Sequence, residues 1–288
     1  MEYLVHLGIL ITIYAILAIS LDLVVGYTGL LSVTHAAFFG VGAYTTAILA
    51  TSFEVNFFFT VLVSIALTAL VGLLIGLVLS RFNDDYFALA SFGFNVIVYS
   101  IFLNWQSLTR GPLGIPGIDK PSLFGFHFNS NSEFLLLSLV FLVAIYYTSH
   151  FITSSSFGRV IRAIRDDEEA LQVFGYRTTY FKLTVFVIGA GMAAVAGSLF
   201  ASYITFIDPS SFTLFESVFI LSIIILGGLS NHRGALLGAV ILILLPEILR
   251  FVGFPTDIAA QMRQVVYGLL LVVLMLYRPQ GLLGRYRL

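Results

Sequence analysis

The stretch that decides the fold runs from Asn56 to Ser80, NFFFTVLVSIALTALVGLLIGLVLS, and holds 25 residues without a single charged side chain. In a helix with a rise of about 1.5 Å per residue, about 20 apolar residues cross the ~30 Å hydrocarbon core of a bilayer. The stretch is therefore typical of a transmembrane helix.

Similar apolar runs recur along the chain, which is 59% hydrophobic and 10% charged, with a mean hydropathy of +1.02. This composition excludes an ordinary soluble domain and predicts an all-α, polytopic transmembrane helical bundle that forms one domain over residues 1–288. The first twenty residues lack a basic leading region, so we expect a retained first helix there. About nine spans (eight to ten) are expected, at 4–25, 33–51, 56–80, 86–105, 133–152, 181–205, 213–229, 235–253 and 259–277.

The basic residues orient these spans, because cytoplasmic loops carry an excess of Lys and Arg. With alternating spans, ten basic residues fall on the side of loop 153–180 and four on the side of loop 106–132. We therefore expect 153–180 in the cytoplasm and the Pro/Gly-rich loop 106–132 outside. The ten are Arg81, Arg159, Arg162, Arg165, Arg177, Lys182, Arg233, Arg278, Arg285 and Arg287, and the four are Arg110, Lys120, Arg250 and Arg263.

The cytoplasmic loop contains a dense charged segment, Gly158–Gly175, with seven of the chain's 29 charged residues within eleven positions. Ser154 to Ser156 are N-cap candidates and Gly175 is a C-terminal stop, so the pattern predicts one short amphipathic helix. Two pairs of opposite charges four residues apart support the helix, Arg162 with Asp166 and Arg165 with Glu169. Its apolar side carries Val160, Ile161, Ile164 and Leu171.

Two roles suit such a helix. Its arginines could meet anionic lipid headgroups at the membrane surface, or its apolar side could occupy a groove of a soluble protein. The four consecutive acids Asp166, Asp167, Glu168 and Glu169 favour the soluble partner, because anionic lipid repels them.

Small residues four apart predict close helix contacts, since lipid gives apolar side chains little reason to associate. Gly189, Ala193, Gly197 and Ala201 form one such stripe, and Gly72 and Gly76 another. The alternative role for either stripe is a sliding interface or the axis of a pore.

Polar residues inside the apolar spans are costly and tend to face a partner or a water-filled path. The candidates for a translocation path are Thr34, His35, Thr45, Ser91, Asn95 and Glu216. A purely structural role is the alternative, because a Ser or Thr hydroxyl can bond back to its own helix.

Motifs for chemistry are missing from the sequence. There is no Gly-Lys-Ser/Thr phosphate loop, no metal-ligand spacing among the five histidines and no Gly-x-Ser-x-Gly elbow. With no cysteine and a formal net charge of −1, thiolate chemistry is excluded and nothing indicates nucleic-acid binding. We therefore expect a transport protein without a catalytic site, metal or cofactor of its own, whose nucleotide energy comes from another chain.

Several blocks of the sequence resemble those of a known protein family. They are Gly26–Gly29 with His35–Tyr44, Gly158–Glu169, Gly227–Ser230 with Gly234–Ala235, Leu245–Glu247, and Tyr277–Gly284. Together they resemble the permease subunits of bacterial ABC importers for branched-chain amino acids, the LivM-like group, to which urea and amide permeases are closely similar. One departure is Asn231-His232-Arg233, which stands where a Gly-rich turn is expected.

The resemblance implies a multi-pass permease of the bacterial plasma (inner) membrane that works by alternating access. It implies a second, related permease as partner, two cytoplasmic ATPases that hold ATP and Mg, and an extracytoplasmic binding protein. An importer for urea or short amides, or an ATP-independent secondary transporter using Glu216 or Asp22, remains the alternative. The ATPase-coupling element carried over is Gly158, Arg159, Val160, Ile161, Arg162, Ile164, Arg165, Asp166, Asp167, Glu168 and Leu171.

Overall fold

The computed structural model describes residues 2–82, 84–123, 126–128, 130–251, 265, 268–269, 272–273, 276–277 and 280–284. Long helices dominate these residues, which confirms the all-α prediction. The helices are α1 (Glu2–Leu21), α2 (His35–Phe53), α3 (Phe57–Leu79), α4 (Asp84–Asn104), α5 (Gln106–Thr109), α6 (Asn131–Ser154), α7 (Ser156–Asp166), α8 (Glu168–Val173), α9 (Thr178–Ile204), α10 (Leu214–Gly227) and α11 (His232–Phe251).

Six helices among the described residues are long and apolar enough to cross a membrane, and each coincides with one of the first six predicted spans. They are α1, α2, α3, α4, α6 and α9. The first of them continues into one turn of π-helix at Asp22–Gly26.

The predicted spans 213–229 and 235–253 are corrected by the structure. Helix α10 has only 14 residues, which at about 1.5 Å per residue is too short for a full crossing. It is followed by α11 after a bend of 119°, so the two form a bent pair that counts at most as one span. The described residues thus hold six or seven spans, and most of the predicted span 259–277 lies outside them.

Helix α9 lies at the centre of the bundle, packed against α1, α2 and α3. Its small residues lie at these contacts. A Cβ on Gly197 would lie 2.2 Å from the carbonyl oxygen of Phe39 on α2, and one on Gly189 would lie 2.6 Å from Val24. Ala193 and Ala201 are fully buried.

The stripe on α3 faces α9 as well. A Cβ on Gly72 would lie 2.8 Å from the side chain of Ala190, and one on Gly76 would lie 2.5 Å from that of Leu183. Only small residues permit this backbone approach. The other side of α3 is exposed and apolar, as expected of a surface that meets lipid.

The predicted loop 106–132, of which the structure describes 106–123, 126–128 and 130–132, lies at one end of the bundle. It contains α5, a 3₁₀ turn at Gly111–Leu113 and three two-residue strands: β1 (Ile115–Pro116), β2 (Ser122–Leu123) and β3 (Phe126–His127). Strands β2 and β3 pair with each other, and β1 pairs antiparallel with β4 (Phe206–Ile207), with Ile115 opposite Ile207. The loop is thereby tied to the end of α9.

The connection between α1 and α2 is not helical over residues 29–34, although it leads into the interior of the bundle. Backbone N–H and C=O groups away from water need partners within the protein. Those partners come from α4 and α10 and include several of the predicted path residues.

Candidate coupling and translocation site

The segment 153–180, predicted to be cytoplasmic, forms two helices where the sequence predicts one. Ser155 is the N-cap of α7, and its hydroxyl accepts a hydrogen bond from the Gly158 amide at 3.3 Å. The break falls at Asp167, which is extended (φ −159°, ψ 97°) and caps α8 by accepting a bond from the Ala170 amide at 2.9 Å. Asp167 adopts the N-cap role that its residue type favours. Gly175, with φ of +84°, ends the segment as predicted.

Gly158 allows α6 to turn directly into α7. A Cβ at this position would lie 2.2 Å from the carbonyl oxygen of Thr153, so no larger residue fits without a shift. The turn places α7 against α9, where the rings of Phe157 and Phe181 lie 5.3 Å apart.

The apolar side of α7 faces the chain itself. Ile161 and Ile164 are 0% and 3% exposed, whereas the sequence suggested that they enter a groove of another protein. Val160 and Leu171 are only partly buried. Large apolar side chains are exposed further along, at the end of α8 and beyond: Val173 (86%), Phe174 (79%) and Tyr176 (46%).

Polar groups cover the outer surface of α7 and α8. Arg159, Asp166, Asp167 and Glu169 are exposed. Glu168 instead forms an ion pair with Lys182 of α9, which holds α8 against the bundle. The exposed surface of residues 159–176 therefore combines both signs of charge with an apolar tip, and we call it the docking surface.

The two remaining arginines of α7 point into the protein. Arg162 was predicted to pair with Asp166, but it donates to the carbonyl oxygens of Thr153 at 2.9 Å and Gly158 at 3.1 Å. Arg165 reaches across to α1 and the α10–α11 turn, where its Nη1 donates to the carbonyl oxygen of Gly26 and to the hydroxyl of Ser230.

Ser230 connects this contact to a buried carboxylate. Its amide donates to Oδ1 of Asp22 at 2.8 Å, and its hydroxyl donates to the carbonyl oxygen of Gly26. Asp22 is 0% exposed, and its other oxygen lies 3.5 Å from Nδ1 of His232, which is 4% exposed. The π-turn, the α10–α11 turn and the last turn of α7 thus share one polar cluster.

His232 extends the cluster to α6. Its Nε2 lies 3.2 Å from the hydroxyls of Ser149 and Thr153. The unusual Asn231-His232-Arg233 block of the sequence therefore supplies the residue that joins α1, α6 and α11. Sequence reasoning singled out this block but could not assign the contact, because the partners are far apart in the chain.

The predicted path residues Asn95 and Ser91 lie on α4 and face the non-helical connection before α2. Asn95 is 0% exposed and donates to the carbonyl oxygen of Val33 at 2.8 Å and to the hydroxyl of Ser217 at 2.6 Å. Ser91 accepts from the Val33 amide at 3.1 Å. Ser217 in turn accepts from the Ala36 amide at 2.9 Å. These contacts satisfy both backbone groups of Val33 in the connection and one amide in the first turn of α2.

Thr34 and His35 directly follow Val33, where the connection enters α2. The hydroxyl of Thr34 is 2.9 Å from that of Ser32, and His35 is 0% exposed beside Phe38, with 6.1 Å between ring centroids. Thr45 lies apart from this group and bonds back to Val41 of its own helix at 2.7 Å. The structure thus brings Thr34, His35, Ser91 and Asn95 to one junction, and their part in translocation stays a prediction.

Glu216 lies in the first turn of α10, one residue before Ser217. Its carboxyl takes part in a hydrogen bond with the side chain of Tyr14 on α1, while its Oε1 is buried without a partner. It is therefore held within the chain, next to the junction formed by Asn95 and Ser217.

The amino-acid sequence is similar to that of known transport proteins. A family model described as the permease component of a branched-chain amino acid transport system matches residues 3–275. The high-affinity branched-chain amino acid permease protein LivM of Salmonella typhimurium is 33% identical, over 98% of this chain and 70% of the relative. Its counterpart LivH from Escherichia coli is 26% identical, over 94% of this chain and 91% of the relative. No solved structure matches the chain.

Proposed function

Because the chain belongs to the family of branched-chain amino acid transport permease components, we propose that it translocates branched-chain or related small amino acids as the membrane-spanning subunit of an ATP-binding-cassette importer. The relatives described above are named for branched-chain amino acid transport. These names favour that substrate class over urea and short amides.

The chain is a multi-pass protein of the inner membrane and a transport component. We propose that two cytoplasmic ATPase partners bind ATP and Mg and hydrolyse the ATP. A second, homologous permease and an extracytoplasmic binding protein complete the importer. The docking surface, on the basic side of the membrane, is the part of this chain that would contact an ATPase.

The observation that carries this proposal is the bridge from Arg165 to Gly26 and Ser230. Packing against α9 holds α7 on the bundle, and the Arg165 contacts add a direct link from α7 to two helix breaks. Through Arg165, a displacement of the docking surface is transmitted to the π-turn after α1 and to the bend between α10 and α11. Breaks in helices are where an otherwise rigid bundle can change shape.

In the proposed mechanism, ATP binding brings the two ATPases together and displaces α7 and α8 of each permease. The connection at residues 29–34 and the bend after α10 then adjust, so that the path opens alternately to the two sides. Asn95 and Ser217 hold that connection in the state described here.

Reconstitution tests the function directly. The importer, purified through this chain with its associated subunits, is placed in proteoliposomes with its binding protein and radiolabelled leucine outside. We expect uptake that requires internal ATP, and competition by excess isoleucine and valine but not by urea. Uptake that continues without ATP in the presence of an ion gradient would overturn the importer, and competition by urea alone would overturn the substrate class.

A further inference from the structure

An open cavity of about 770 Å³ lies at the cytoplasmic end of α6, beside the start of α11. Four of its lining residues can carry positive charge: His150, Arg162, His232 and Arg233. Its other lining residues are uncharged, and they carry hydroxyl, phenol and amide groups. Among the described residues no carboxylate lines the cavity; Asp22 faces His232 from the buried side.

Two of the four basic side chains, Arg162 and His232, are fixed by hydrogen bonds within the chain. Two carbonyl oxygens fix the guanidinium of Arg162, and the hydroxyls of Ser149 and Thr153 fix the ring of His232. Arg233 lies in the first turn of α11, where the positive end of the helix dipole also favours an anion. Its side chain is exposed, and within the described part of the chain no carboxylate pairs with it.

The surroundings of the cavity point to the membrane surface. On α6, Val143, Tyr147 and Phe151 are exposed by 51%, 65% and 75%, as expected of a helix face that meets lipid. His150 follows on the same helix and stacks on Tyr146, and both line the cavity. The cavity therefore opens where the lipid-facing part of α6 ends, at the depth of headgroups on the basic side of the membrane.

We propose that this cavity binds a phosphate group, and specifically the headgroup phosphate of an anionic lipid of the cytoplasmic leaflet. Guanidinium groups suit phosphate oxygens because their N–H groups match the oxygens in charge and geometry. The acyl chains of such a lipid would lie against the exposed face of α6. The site adjoins the docking surface, because Arg162 of α7 lines it, and it does not depend on which substrate is transported.

Native mass spectrometry of the full chain in mild detergent tests the proposal. The chain is titrated with phosphatidylglycerol, with phosphatidylcholine and, separately, with inorganic phosphate. We expect phosphatidylglycerol to be retained more strongly than phosphatidylcholine, and Arg233→Gln to weaken that retention about fivefold, the effect of one basic residue near anionic lipid. Because Arg233 is exposed, this variant should fold normally, which its unfolding temperature verifies.

The matched control is Arg177→Gln, since Arg177 is exposed on the same side but does not line the cavity. It should retain phosphatidylglycerol like the unchanged chain. Equal retention by Arg233→Gln and the unchanged chain would overturn the proposal. If inorganic phosphate binds and the lipid does not, the lipid source is wrong. Loss of ATPase association in Arg233→Gln without loss of lipid would assign the cavity to a protein carboxylate instead.

Discussion

Arg165 on the cytoplasmic helix α7 donates a hydrogen bond from Nη1 to the hydroxyl of Ser230, 2.8 Å away in the turn between α10 and α11. The two residues are 65 positions apart, and the Ser230 amide continues the connection to the buried carboxylate of Asp22 at 2.8 Å. These contacts join α7 to two helix breaks in the bundle, the path by which we propose that a movement of α7 is transmitted.

Replacing Arg165 should uncouple ATP hydrolysis from transport. Arg165→Ala removes bonds from a charged donor, each worth about 1.5–3 kcal/mol, which corresponds to a factor of about ten or more. We expect about tenfold less leucine taken up per ATP hydrolysed in proteoliposomes, with the ATPases still associated. Arg177→Ala is the control, because Arg177 is exposed and lies just outside the docking surface. Equal loss in both variants would show that positive charge in this segment, and not the bridge, matters.

The exposed tip of α8 should be required for ATPase binding. Val173→Asp with Phe174→Asp places two charges where an apolar contact is expected, and we predict at least tenfold weaker co-purification of the ATPase subunits. Membrane insertion should be unchanged, because both side chains are exposed in the chain itself. Leu113→Asp, equally exposed at the opposite end of the bundle, should leave the association intact. Normal association of the double variant would move the contact elsewhere.

Ile161→Asp with Ile164→Asp should behave differently, because both isoleucines are buried in this chain. An unpaired carboxylate in an apolar core costs several kcal/mol, so we expect little folded protein in detergent. Fluorescence-detected size exclusion measures this directly. A monodisperse double variant that has lost only the ATPases would mean that these residues face the partner after all.

Gly197 should not tolerate even one methyl group. In Gly197→Ala the new Cβ would lie 2.2 Å from the Phe39 carbonyl oxygen, and such overpacking costs about 1–3 kcal/mol. The unfolding temperature in detergent should fall. Gly93→Ala on α4 is the control, since its Cβ would meet nothing within 4 Å, and it should be neutral or slightly stabilising. A similar decrease in both variants would contradict the close α2–α9 contact.

Asn95 offers a way to separate structure from transport. Asn95→Ala leaves the Val33 carbonyl and the Ser217 hydroxyl without their donor, and a lost buried hydrogen bond of this kind costs about 1–3 kcal/mol. We expect a lower unfolding temperature, whereas Asn104→Ala, at an exposed position on the same helix, should have little effect. Unchanged stability with altered leucine affinity would instead place Asn95 on the translocation path.

How far the sequence predicts this molecule differs from element to element. The first six spans follow from long apolar runs, and those runs suffice because a bilayer demands about 20 apolar residues wherever a helix crosses. The short α10 and its 119° bend to α11 were missed, because apolar composition alone does not reveal where a helix turns within a bundle.

What the sequence by itself determined is therefore local and compositional: the first six spans, the capped segment with its stop at Gly175, and the small-residue stripes. Only the tertiary structure decided which side chains meet. It buried Ile161 and Ile164 inside the chain, directed Arg165 to Ser230 and assigned Asn95 to the backbone at Val33. The physical reason is that a polar group at membrane depth needs a hydrogen-bond partner within the protein. The residue type shows that a partner is needed but does not identify it. In these two bonds the partner lies 62 and 65 positions away in the chain.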